Sequence, residues 1–196
     1  MLNNKKKVIV VCLVVWLYAL CHSIFAQTGI TPNALQLDQI AILKTGGKNS
    51  EPAFNPLGTP SGLIKALGKP LSITQEYAEI DDIYLTVYKY NGAEFAFNRN
   101  YLVDFQITND NFIVRTPSPG RTNKTDMFNF RVGDPASRVQ KIYPQSFKAN
   151  QDGRIFFRLY TLTKNPNTNI STRTNLDASF LFVIEDGVLT GVIFGE

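Results

Sequence analysis

The sequence predicts an α+β fold built from two tandem repeats, each a short helix followed by a three-stranded antiparallel sheet. Three observations carry this reading. PLGTPSGLIKALGKP (56–70) and RVGDPASRVQKIYPQ (131–145) place Gly58 and Pro60 where the later stretch has Gly133 and Pro135, 75 positions on. Each stretch is followed by runs that alternate apolar and polar residues, rich in aromatic and β-branched types, as half-buried strands do. Ala93-x-Phe95-x-Phe97 in the first half also aligns with Ala178-x-Phe180-x-Phe182 in the second.

The opening 26 residues stand apart. Lys5, Lys6 and Lys7 precede a 13-residue apolar run, residues 8–20, and Ala26 is the small residue before Gln27. This is the layout of a secretory signal peptide, and the apolar run is short for a membrane span. Two alternatives stay open: lipidation of Cys21, or an uncleaved anchor from Val8 to Ala26. Residues 27–56 follow as an N-terminal segment whose apolar run, Leu35 to Leu43, fits neither the helical nor the strand period.

The first repeat covers residues 57–114. Thr59 is a good N-cap and Pro60 a good first helical residue. Ile64 and Leu67 mark the expected buried face, and Gly68 with Pro70 ends the helix. Residues 71–82 read as a link. The strands are 82–90, 93–97 and 102–107, with Asn91-Gly92 as a two-residue type I′ hairpin turn.

Residues 115–127 read as a polar linker containing Pro117, Pro119 and Gly120. The second repeat covers residues 128–196. Asp134 and Pro135 repeat the cap, Val139 and Ile142 the buried face, and Pro144 the stop. Strands at 154–160, 178–184 and 188–194 complete it, with Asp186-Gly187 as a turn. Residues 161–177 stand where the first repeat has only Asn91-Gly92, and are either a loose loop or two strands prolonged into an arm turning near Asn165-Pro166-Asn167.

Composition narrows the chemistry. Both cysteines, the one histidine and the one tryptophan lie within residues 1–26. Residues 27–196 therefore cannot form a disulfide, a histidine-dependent triad or an ordinary zinc site. They carry 17 basic and 16 acidic side chains, which leaves no electrostatic footprint for nucleic acid. No catalytic residue, metal ligand set or cofactor is expected. The densest acidic spot, Glu79-x-Asp81-Asp82, reads as a turn rather than as a calcium or acid–base site.

Two groups of residues are candidates for binding. Tyr84, Tyr88 and Tyr90 share one strand face, either packed on both sides or displayed as an aromatic surface, since tyrosine offers rigid area with a polar tip. Asn165, Asn167 and Arg173 lie in the inserted segment, which is either an unselected surface insertion or a recognition finger.

A Gly-led capped helix ending in Leu67-Gly68-Lys69-Pro70, followed by antiparallel strands, resembles the fold shared by the β-lactamase inhibitor protein and the small lipoprotein of the outer-membrane barrel-assembly machinery. That lipoprotein family ends a Gly-led helix in a Leu-Gly-x-Pro turn, which 67–70 match and Ile142-Tyr143-Pro144 match in part. The resemblance spans residues 57–107 and 132–194. It implies a tandem helix-and-sheet architecture with a concave sheet surface that grips a protein, and an envelope or secreted location. The inhibitor's repeats carry disulfides and residues 27–196 have no cysteine. None of that family's contact residues has a counterpart here.

The function expected is a secreted or periplasmic, non-catalytic module that binds a protein or other macromolecule of the cell envelope. The membrane enters only through an uncleaved or lipidated N-terminus. The alternatives are a carboxylate-dependent hydrolase of envelope polymers, acting through Asp81 or Asp82, and a carrier of a small apolar ligand.

Overall fold

The alternating runs become strands, but they join into one sheet instead of two. The computed structural model describes residues 29–46, 52–119, 126–168 and 170–195, so the leader read over residues 1–26 lies outside the described residues. The chain divides into two compact units, Met1–Thr31 and Pro32–Glu196, and the fold below is that of the second.

In the first half, β1 (Ala34–Gln36), a 3₁₀ turn (Leu37–Gln39) and β2 (Ala41–Lys44) precede α1 (Pro60–Leu67). Then come β3 (Ser72–Ala78), β4 (Ile83–Tyr90), β5 (Ala93–Asn98), β6 (Tyr101–Ile107) and β7 (Phe112–Pro117). The second half holds β8 (Met127–Phe130), α2 (Ala136–Ile142), α3 (Pro144–Lys148), β9 (Arg154–Lys164), β10 (Ser171–Asn175), β11 (Ser179–Glu185) and β12 (Val188–Gly195).

Nine strands form a mixed sheet in the order β1-β9-β11-β12-β6-β5-β4-β3, with β10 also beside β9; β2-β7-β8 form a second, three-stranded sheet. The expected α+β fold of two helix-plus-sheet repeats is thereby corrected: 51% of the structure is strand and 15% helix. The physical reason lies at the centre of the large sheet. Two three-stranded antiparallel sheets would each leave open edges and be marginal alone. Instead β6 and β12 pair antiparallel, from Val192 opposite Ile107 to Gly195 opposite Asp104. Segments read as non-strand extend the sheets further. The 71–82 link supplies β3, the N-terminal segment supplies β1, parallel to β9, and β2, and the linker contributes residues to β7 and β8.

The helices also differ in detail. In α1 the Gly62 N–H donates to Thr59 Oγ1 at 3.4 Å, and Gly68 closes the helix with a φ of 82°. Its buried face is Leu63 and Leu67, one turn apart, while Ile64 is 39% exposed. Asp134 does not cap α2; its carboxylate accepts from the Arg131 N–H at 3.0 Å. Pro144 does not stop the chain's helical course but opens α3, where its missing N–H costs nothing.

Turns follow the same local chemistry with one exception. Asp186 and Gly187 both take left-handed φ, 49° and 78°, as a type I′ turn requires. At 91–92 only Gly92 does, with φ 83°, so the expected type I′ turn is replaced. The Asn91 carbonyl is held there by the side-chain amides of Asn109 and Asn111, at 3.3 and 3.1 Å.

One face of the large sheet is covered. Phe95, Phe97, Phe105, Phe157, Phe180, Phe182 and Phe194 lie on it, all buried. The helices meet it through Leu63, Leu67, Val139 and Tyr143, and the small sheet through Ile42, Phe112, Val114 and Phe130. Phe130 reaches Phe182 at a ring separation of 5.0 Å, and Phe112 reaches Tyr90 at 6.1 Å. Each such ring removes a large apolar area from water, worth roughly 2–3 kcal/mol by transfer. The opposite face, with Glu76, Lys89, Glu94, Asp104 and Gln106, has no helix on it among the described residues.

Candidate functional site

The covered face runs out from under its cover at one corner, on β3 and β4. Register puts Ile73, Gln75 and Tyr77 of β3 opposite Tyr88, Thr86 and Tyr84 of β4, all on the face that carries the core. Tyr90 lies within the core, Tyr88 is part-buried against Phe97 at 5.5 Å, and Tyr84 is 68% exposed. Outward from Tyr88 no packing layer remains among the described residues. Leu71, Ile73, Tyr77 and Ile80 are accordingly exposed at 77, 53, 50 and 69%. Tyr77 meets Tyr84 there, while Ile73 and Leu71 stand four and six positions back along the same face, beyond the hydrogen-bonded Gln75–Thr86 pair.

Local interactions give the corner a fixed shape. The Tyr77 and Tyr84 rings meet at 5.1 Å, inclined by 46°. The Tyr77 hydroxyl donates to the Asp82 carboxylate, and that bond, then burial and the charges of Tyr84 and Glu79, raises the phenol above its ordinary value. Asp82 takes a left-handed φ of 53° in the turn between the strands. The acidic 79–82 stretch therefore is a turn, and one of its carboxylates positions a tyrosine. Two aromatic rings held in a set geometry lose little entropy on meeting a partner.

The backbone of the corner matters equally. β3 ends the large sheet, with seven residues and no strand on its outer side among those described. Its pairing with β4 runs without a register shift, unlike β5–β6 and β11–β12. It has no proline and no lysine, the usual guards of an open edge. On the reverse face, Lys89 lies 2.8 Å from Glu76 and 3.8 Å from Glu94, which balances the one charge that β3 carries. The Glu76 hydrogen bond is also the main cause that raises Lys89.

The structure divides the predicted tyrosine set. Tyr90 serves the core: its hydroxyl donates to the Gly68 carbonyl at 3.0 Å, and burial, then Tyr88, pushes it up to about 12. Of the three, Tyr84 alone offers a broad free surface, and Tyr88 borders it. The second predicted group forms a β-arm, the second of the two alternatives for residues 161–177, with β9 and β10 paired from Tyr160 opposite Asn175 to Lys164 opposite Ser171. Asn165 accepts from the Asn167 N–H at 2.9 Å and so builds the turn at its tip. The Arg173 guanidinium lies over the Tyr160 ring at 3.9 Å, with Nε donating to Asn175 at 3.2 Å. The side chains of Asn165 and Arg173, and the backbone N–H of Asn167, thus serve the arm's own shape. The arm and the tyrosine corner stand at opposite ends of the sheet, five strand spacings or roughly 24 Å apart.

Leu71, Ile73 and Tyr77 were not anticipated, although their alternate spacing was a legible strand signal within 71–82. One carboxyl was missed as well. Asp104 is part-buried on the face opposite the helices, and burial, then the nearby Glu94, lifts it from 3.8 to about 7.

The arrangement defines a mostly β protein with a mixed sheet and one open aromatic–aliphatic corner. Comparison with protein-family models, with curated proteins and with solved structures finds no match to this chain.

Proposed function

We propose that this chain is a non-catalytic binding module that recognises a protein in the periplasm or outside the cell, through the β3–β4 corner. The observation that carries the reading is the exposed Tyr77–Tyr84 pair, rings 5.1 Å apart, on a strand pair and turn that also expose Leu71, Ile73 and Ile80. Aromatic anchors with a fixed geometry and a polar tip are the residue types that supply most of the energy at protein interfaces. The location rests on the leader-like residues 5–26, which precede a chain segment without cysteine or histidine. Among the described residues no helix is long and apolar enough to cross a membrane.

The test is retention of a stoichiometric protein from a native envelope fraction by the full-length chain. The double variant Tyr77→Ser/Tyr84→Ser should lose at least tenfold in affinity while melting as the parent does, because both side chains are exposed. Removal of residues 163–174 should leave retention intact. Binding lost with the arm but kept in the tyrosine variant would instead make the arm the recognition element. Turnover of an envelope polymer that falls when Asp81 or Asp82 is replaced would establish the hydrolase.

A further inference from the structure

We infer that the open edge of β3 pairs with β3 of a second copy, joining two sheets and fusing two corners into one recognition surface. The inference rests on the reading of the corner as a binding surface, and names what lies against its backbone edge. Of the strands that end a sheet among the described residues, β1 has three residues, β2 and β8 four each, and β10 five. β3 has seven, unbroken and without proline or lysine. An edge of that kind presents a row of backbone donors and acceptors ready for another strand.

The sequence of β3 says which strand. Side chains opposite one another in a two-fold antiparallel pair must share a face, so the axis has to pass through a residue. An axis at Glu76 would set Glu76 against itself, a like-charge contact. An axis at Gln75 overlaps all seven residues of Ser72–Ala78. It places Ile73 against Tyr77 of the second copy on the core-side face, twice, with Gln75 facing Gln75 between them. On the reverse face it places Glu76 against Thr74, whose hydroxyl already donates to Glu76 at 3.3 Å within one chain. The two Glu76 carboxylates then sit two positions apart along the strand direction, roughly 7 Å, within the screening length at physiological salt, so the cation beside each has to offset their repulsion. Each keeps its own Lys89 at 2.8 Å. The pair is therefore balanced in charge and matched in apolar side chains. Tyr84, Tyr77 and Ile73 of one copy continue into Tyr77 and Tyr84 of the other.

Light scattering of the full-length chain over a concentration series tests this. The parent should show twice the mass of one chain in the micromolar range. Thr74→Lys puts a cation against Glu76 of the second copy and should tighten the dimer, whereas Thr74→Glu should weaken it, each by about fivefold. Ile73→Lys/Tyr77→Lys, which sets cations against one another, should leave a monomer whose circular dichroism and melting match the parent. A parent that stays monomeric at 100 µM (order of magnitude) overturns the inference, as does a dimer indifferent to the sign of the charge at position 74. A monomer that still retains an envelope protein through Tyr77 and Tyr84 would sink the self-pairing and keep the proposed function. A charge-sensitive dimer that retains no other protein would do the reverse.

Discussion

Phe105 and Phe194 stack across the seam between β6 and β12, ring centroids 5.5 Å apart and planes inclined by only 18°. They face each other directly in the register that joins the two halves. Phe105 also touches Phe95 at 5.7 Å and Phe180 at 6.3 Å, so one ring links both strand triplets to the seam. Phe105→Ala should therefore cost about 3–5 kcal/mol. Tyrosine fluorescence and far-ultraviolet circular dichroism should still report one transition at a lower denaturant midpoint. Two separated transitions would show that the halves fold independently.

Gly153 and Gly187 have nearly the same left-handed φ, 77° and 78°. A Cβ at Gly153 would stand 2.2 Å from the Ile184 carbonyl oxygen, a backbone atom, whereas one at Gly187 meets nothing within 4 Å. Alanine at 187 should cost about 1 kcal/mol from conformation alone. Alanine at 153 should cost at least about 2 kcal/mol more, because the Ile184 N–H donates to the Gly153 carbonyl at 2.6 Å and that contact must open. Equal costs in urea melts would refute the steric account.

Asp104 should make stability depend on pH in the direction opposite to an ion-paired carboxylate. Its folded value near 7 lies above the ordinary 3.8, so between the two the folded chain holds a proton that the unfolded chain has released. Stability then falls as pH rises from about 4 to about 7, and the penalty is complete above that. Asp104→Asn removes the titrating group. It should raise stability at pH 8 by about 2 kcal/mol, a three-unit shift discounted for partial exposure. Melting curves of parent and variant that stay parallel from pH 4 to 8 would contradict this.

Tyr143 is fully buried, with its hydroxyl donating to the Pro117 carbonyl at 2.5 Å and its oxygen accepting from the Thr116 hydroxyl at 2.7 Å. Burial raises the phenol well above its usual range, with Thr116 acting the other way, so it stays a donor at every working pH. Tyr143→Phe keeps the ring contacts with Phe157 and Phe130 but leaves a buried acceptor, the Pro117 carbonyl, and a buried donor, the Thr116 hydroxyl, with a partner lost. The expected cost is about 1–3 kcal/mol. Loss of less than about 0.5 kcal/mol would mean that water takes over the site.

Much of the local structure was legible. Alternation located β4, β5, β6, β9, β11 and β12, and Thr59, Pro60 and Gly68 bounded α1, because these signals act within a few residues and the local geometry is the same in any fold. The absence of histidine and cysteine from residues 27–196 likewise followed from the sequence. Alternation also grouped Tyr84, Tyr88 and Tyr90 on one face, yet it could not say that Tyr90 would be buried and Tyr84 free. That depends on how far the helices and the small sheet extend over the face, which is set by residues far along the chain. The pairing of β6 with β12 and the placement of β3 at an open edge were likewise decided only in three dimensions. A strand's sequence specifies which of its residues share a face, while its backbone will pair with any strand of suitable register, so the assembled sheet alone determines which edges close and which stay open.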